Sequence, residues 1–199
     1  MAVSIEEIKK LKELSGVGLT DAKKALVEAD GDFDKALEAM RKKGLTKAEK
    51  RGDRETREGR IDAYIHDGRL GAIVEVNCET SFVAKTEEFK TLAHNIAMQV
   101  ASMNPLYVSE ADIPAAKIAA ATAEAEKTLT GKEPADKKAM IIKNKVSKAF
   151  ADKVLLNQPY ILDDSKTVAQ YLKDNIAKTG ENITIKQFKR LELGLTEEA

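Results

Sequence analysis

Between residues 61 and 100 the sequence changes its period once, and that change restricts the possible folds. Ile61, Ala63 and Ile65 alternate with Asp62, Tyr64 and His66, and Leu70, Ala72, Val74 and Val76 alternate beyond Asp67-Gly68. Two runs of period two around an Asp-Gly pair predict a β-hairpin, because both central turn positions need positive φ. Thr86 has helix-capping chemistry, and after it Phe89, Leu92, Ala93, Ile96 and Val100 recur at helical spacing. The segment between is therefore a strand-to-helix corner, Glu75-Val76-Asn77-Cys78-Glu79-Thr80-Ser81-Phe82-Val83-Ala84-Lys85. Corners on a rigid scaffold often carry function. A ring at such a corner, here Phe82, is either folded into the core or offered to a partner.

The 199 residues carry 33 Lys+Arg and 33 Asp+Glu, so no global field steers the chain to nucleic acid or an anionic membrane. The single Cys78 excludes an intrachain disulfide framework and fits a reducing compartment. No basic region followed by an apolar run opens the chain, and no apolar run approaches the ~20 residues that span a bilayer. The expectation is a cytoplasmic protein with no membrane partner.

Residues 1–45 read as three short helices. Ser4 and Glu7 have capping-box spacing, and Ile5, Ile8 and Leu11 fall on one face. Ser15-Gly16-Val17-Gly18 breaks the first helix, and Thr20 is placed to cap the second. Ala22, Ala25, Leu26 and Ala29 make its apolar stripe. Gly31 and Asp32 separate it from a third helix with Phe33, Ala36, Leu37 and Met40 inward, and Gly44 stands where a C-terminal cap belongs. The pattern resembles the ubiquitin-associated fold, a binding module, although a generic helical bundle fits the periodicity equally well. Residues 46–59 read as a basic linker; across 41–60 nine Lys/Arg face four acids. Without interleaved aromatics a solvated linker is favoured over an RNA-binding patch.

Residues 60–199 read as the main domain. After the hairpin and its helix come two Ala/Lys/Glu-rich helices, about 115–129 and from Pro134 to about Leu156, the latter with Ala139, Ile142, Val146, Ala149 and Phe150 as a stripe. Gln158-Pro159-Tyr160-Ile161-Leu162 reads as an edge segment. A helix from Thr167 to Gly180 precedes a last strand with Ile183, Ile185, Phe188, Leu191 and Leu193, bulged near Gln187. The fold class is α+β: a three-helix module, a linker, then a small antiparallel sheet with helices on one face.

Catalytic chemistry is hard to place. Gly131-Lys132 lacks the remainder of a phosphate loop. Cys78, His66 and His94 cannot make a zinc site of usual ligand number. Cys78 and His66 fall at opposite ends of the returning strand, which disfavours a nucleophile and base. Neither a catalytic residue nor a metal or other cofactor is expected, and Cys78 reads as a buried structural thiol.

The corner is very similar to the signature of bacterial translation elongation factor Ts, whose central word is Thr-Asp-Phe-Val; here Thr80, Ser81, Phe82 and Val83 occupy it, with Ser81 at the Asp position. The run from Leu11 to Leu26 resembles a second signature of that family, and Gln158-Pro159-Tyr160 through Val168 a third. The likeness covers the whole chain and is to the compact form. It implies a non-enzymatic guanine-nucleotide exchange factor for elongation factor Tu, gripping the GDP-bound and the nucleotide-free partner. It implies that Phe82 is a wedge that displaces the partner's magnesium, with Thr80, Ser81 and Val83 beside it. It further implies contacts from Gly18, Leu19, Asp21 and Lys23, no direct nucleic-acid binding, and, since compact members are dimers and an exposed sheet edge invites pairing, a homodimer. The rival readings are a ubiquitin-associated-like adaptor without exchange activity, an RNA chaperone acting through the basic linker, and a thiol enzyme.

Overall fold

The computed structural model describes residues 3–15, 18–49, 51–129 and 134–195. It divides into two compact units, Met1–Asp62 with Val74–Asn95 and Gln170–Lys186, and Ala63–Ile73 with Ile96–Ala169 and Gln187–Ala199.

The first unit opens with α1 (Ile5–Ser15), α2 (Leu19–Glu28) and α3 (Phe33–Glu49). The capping box forms: Ser4 Oγ accepts from Glu7 N–H at 3.1 Å, and Glu7 Oε2 accepts from Ser4 N–H at 3.1 Å. Ile8, Leu11, Ala22, Ala25, Leu26, Ala36 and Met40 close one core, with Val3, Ala29, Phe33 and Leu37 against it. Gly31 takes φ 83° after α2, and Asp32 Oδ1 accepts from Lys35 N–H at 3.1 Å to start α3.

Three local expectations are corrected. Ile5 lies 72% exposed, one turn short of the core that Ile8 and Leu11 enter. Thr20 is not a cap: the chain enters α2 at Gly18, whose carbonyl accepts from Ala22 N–H at 3.0 Å, so Thr20 is already helical. Gly44 does not end α3, which runs on to Glu49. One interior glycine costs about 1 kcal/mol, and good helix formers such as Lys42, Lys43, Lys47 and Ala48 surround it in sequence. The Gly16-Val17 part of the first turn lies outside the described residues.

The hairpin is as read: β1 (Glu58–His66) and β2 (Leu70–Cys78) meet at Asp67 and Gly68, with φ 49° and 64°. Arg69 N–H donates to the His66 carbonyl at 3.0 Å. The sheet order is β1-β2-β5, β5 being Ile183–Glu192. Ala72, Val74, Val76 and Cys78 of central β2 are buried, whereas Ile61 and Ile65 of edge strand β1 are 65% and 71% exposed. In β5, Ile183 and Ile185 are buried, and the half-buried positions then become Phe188, Arg190 and Glu192. The parity changes near Gln187, the place of the expected bulge or shift; Leu191 and Leu193 of the expected strand are exposed, and β5 ends at Glu192.

A short α4 (Ser81–Ala84) and then α5 (Glu87–Met103) follow β2. The second unit contains α6 (Ala115–Lys127) and α7 (Ala135–Phe150). Helix α7 stops short of the expected Leu156, because Val154 and Leu155 leave it to be buried, with Leu155 N–H donating to the Tyr107 carbonyl at 2.8 Å. Ala139 and Ala149 of its expected stripe are exposed. Pro159–Tyr160 (β3) pairs antiparallel with Asp163–Thr167 (β4), giving a second, two-stranded sheet. The last helix, α8 (Val168–Thr179), ends at Gly180, φ 78°.

Candidate functional site

The corner begins where β2 ends. Cys78 is fully buried and its Sγ donates to the Thr80 carbonyl at 3.2 Å. Thr80 is the N-cap of α4, with extended backbone, and its Oγ1 accepts from Val83 N–H at 3.4 Å. Val83 and Ala84 are buried and pin the single turn from beneath. Thr86 closes it: Oγ1 donates to the Val83 carbonyl at 2.8 Å and accepts from Phe89 N–H at 3.2 Å, capping α5. Val83, Ala84 and Phe89 of these successive helices are buried, and residue 82 is not. Phe82 is 79% exposed, a whole aromatic ring held out into solvent.

An acidic side chain from a distant stretch holds this turn. Glu181 Oε2 accepts from the backbone N–H of Glu79 at 3.1 Å and of Thr80 at 3.0 Å, and Oε1 accepts from the Thr80 hydroxyl at 2.6 Å. In return Glu79 Oε1 accepts from Asn182 N–H at 2.6 Å, and Arg54 Nη1 lies 3.4 Å from the same carboxylate. Asn182, 2% exposed, donates from Nδ2 to the carbonyls of Gly52 and Arg54 at 3.2 and 2.8 Å. Sequence reading missed Glu181, Asn182 and Arg54. Glu181 follows a helix-ending glycine, and nothing local marks it as a partner of residues a hundred positions earlier.

Thr80, Ser81, Phe82 and Val83 thus sit together on one turn, with Thr80, Ser81 and Phe82 exposed and Val83 buried as its anchor. Gly18, Leu19, Asp21 and Lys23 form a separate group on the entry to α2, where Gly18 and Lys23 are exposed, Leu19 is 54% exposed and Asp21 is half-buried.

The arrangement offers little to bond-making chemistry. Burial, with the negative charge of Glu181 adding to it, pushes the Cys78 thiol up to about 11. It is therefore protonated and inert at neutral pH. His66 is occupied by Tyr64, whose hydroxyl lies 3.0 Å from Nδ1. Among the described residues no three His, Cys, Asp or Glu side chains gather as a metal site. A cavity of about 550 Å³ beside α6 and α7 is lined by Ile113, Ile118, Ile142, Val146 and Phe150, with Glu110 and Lys143 its charged groups. Among the described residues no helix is long and apolar enough to cross a membrane.

A family model described as elongation factor TS matches residues 7–195, which takes in both the α2 entry and the corner. The chain belongs to the elongation factor Ts family. It is 48% identical over 199 residues to elongation factor Ts of Thermotoga maritima, covering 98% of each chain. It is 47% identical over 197 residues to that of Leptospira biflexa, covering 98% of this chain and 99% of the relative. Elongation factor Ts of Rippkaea orientalis is 45% identical over 195 residues, and there 96% of this chain covers 78% of a longer relative. The end-to-end match to the shorter elongation factor Ts chains bears out the resemblance to the compact form, and the mixed sheet and helices bear out the α+β fold class.

Proposed function

We propose that this chain promotes release of GDP from elongation factor Tu, with Phe82 as the inserted wedge. Membership of the elongation factor Ts family supports nucleotide exchange as the general role, in the cytoplasm where that partner works. The observation that carries the finer reading is the outward ring: 79% exposed, on a turn fixed at both ends. An exposed phenylalanine has no use in the core of its own chain, and aromatic side chains anchor interfaces by filling a partner's pocket.

The action is mechanical. A ring inserted beside the nucleotide site of a GTPase moves the groups that hold magnesium, and magnesium balances the charge of the nucleotide phosphates. GDP affinity then falls without any bond being made. Each ten-fold gain in release rate needs only about 1.4 kcal/mol. Gly18, Leu19, Asp21 and Lys23 give a second grip on the same partner, and a second copy of the chain pairs along edge strand β1, where Ile61 and Ile65 are exposed.

Phe82→Ala tests the reading. With elongation factor Tu preloaded with fluorescent GDP, the variant should release nucleotide at least about ten-fold more slowly than the parent, the scale of one interface anchor. Release at the parent rate would sink the wedge.

A further inference from the structure

We infer that Glu181 is a positioning residue of the exchange site, fixing from a distant stretch of chain the direction in which Phe82 points. The inference rests on the wedge reading of Phe82 and extends it.

A ring that is 79% exposed is not oriented by packing around itself. Its direction comes from the backbone of its turn. Helix α4 has four residues, too few to persist alone, since helix nucleation is unfavourable until several hydrogen bonds have formed. Its start must therefore be set from outside. Buried Val83 and Ala84 hold the far side of the turn. On the near side, the N–H groups of Glu79 and Thr80 are both taken by one Glu181 oxygen, at 3.1 and 3.0 Å, while the other takes the Thr80 hydroxyl at 2.6 Å.

That hydroxyl is the one that caps α4. By donating its proton to Glu181 it is turned so that its lone pairs face the Val83 N–H. One carboxylate thus fixes the last peptide of the strand, the first of the turn and the rotamer of the cap. The clamp is crossed, because Glu79 returns the contact to Asn182 N–H at 2.6 Å. Backbone N–H groups donate to both carboxylates, and Arg54 Nη1 lies 3.4 Å from that of Glu79.

A wedge that is ordered beforehand loses less freedom on insertion than one on a loose loop. The clamp should therefore act on the insertion step, after the encounter with GDP-loaded elongation factor Tu. It touches no partner atom in this reading and is not itself a catalytic group.

The test is a cycle of four chains: parent, Glu181→Gln, Phe82→Ala and the double variant. Gln keeps an acceptor oxygen and the side-chain size, so the fold is retained while one charged acceptor is lost. Release of fluorescent GDP from preloaded elongation factor Tu is followed over a range of factor concentration. Glu181→Gln should lower the saturating release rate about ten-fold, as losing a charge-assisted hydrogen bond allows, and leave the half-saturating concentration within about two-fold. In the Phe82→Ala background the same change should cost nothing further. Amide hydrogen exchange at Glu79 and Thr80, read in the free factor, should speed up in Glu181→Gln.

A parent-like rate for Glu181→Gln beside a slow Phe82→Ala overturns the positioning role and leaves the wedge standing. An equal loss in both backgrounds also overturns it, because Glu181 then acts independently of the ring. A parent-like rate for Phe82→Ala removes the wedge and the positioning role together. Unchanged amide protection in Glu181→Gln overturns the clamp whatever the rates.

Discussion

Cys78 and Phe82 lie four residues apart in the same signature and behave in opposite ways. The thiol has no exposed surface, and burial together with the charge of Glu181 raises its pKa from 9.0 to about 11. The unfolded chain ionises this group first, so between 9.0 and about 11 the unfolded state binds fewer protons than the folded one. The stability contributed by the protonated thiol is complete below 9.0 and is lost as pH rises to about 11. Urea midpoints measured across that window should fall more steeply for the parent than for Cys78→Ala; parallel curves would show that the thiol does not titrate differently on folding. Phe82 is the converse. Its ring contributes little to the core, so Phe82→Ala should change stability by no more than about 0.5 kcal/mol, the range of ordinary surface substitutions, when unfolded by urea. A larger loss would mean the ring packs on its own chain and is not presented to a partner.

At the scale of elements, the β1–β2 ribbon has a checkable weak point. A Cβ built on Gly59 would collide with the Val76 carbonyl oxygen and lie 2.8 Å from Asn77 Cα. Both obstacles are backbone, so no rotamer change relieves them, and the strands must part. Gly59→Ala should destabilise the chain by about 1–3 kcal/mol, as overpacking does, read from the urea midpoint; an unchanged midpoint would mean that β1 shifts without loss. The hairpin itself was legible because Asp67-Gly68 and the alternating runs are local signals, and so were α5 with its Thr86 cap and the apolar stripes of α2 and α3. Strand β4 was not legible, since Asp163-Asp164-Ser165-Lys166 has no apolar alternation and is strand only because β3 lies beside it. The end of α7 was hidden too, because helical spacing continues into residues that tertiary burial of Val154 and Leu155 pulls away. In the candidate site, Thr80 to Val83 could be read from the signature, whereas Glu181, Asn182 and Arg54 could not. Glu181 and Asn182 act through pairings across about a hundred residues, and Arg54 reaches Glu79 across 25, separations no local pattern spans.

For the whole molecule the proposed activity is a linkage between two ligands of one partner, and linkage is reciprocal. If the factor lowers the affinity of elongation factor Tu for GDP by some ratio, GDP must lower the affinity of that partner for the factor by the same ratio. Titration calorimetry can measure all four edges: factor onto nucleotide-free and onto GDP-loaded partner, and GDP onto free and onto factor-bound partner. The two ratios should agree, and both should shrink together in Phe82→Ala. Any binding through the proposed second grip, Gly18, Leu19, Asp21 and Lys23, should remain. That outcome separates the two grips: contacts at α2 add affinity equally to both states of the partner, whereas the wedge adds it only where GDP has gone. Because the net charge is zero, no overall field assists the encounter, so raising salt should alter these ratios less than Phe82→Ala does. A ratio that keeps its full size in Phe82→Ala would place the coupling outside the corner. One that collapses with modest salt would make it electrostatic and not steric.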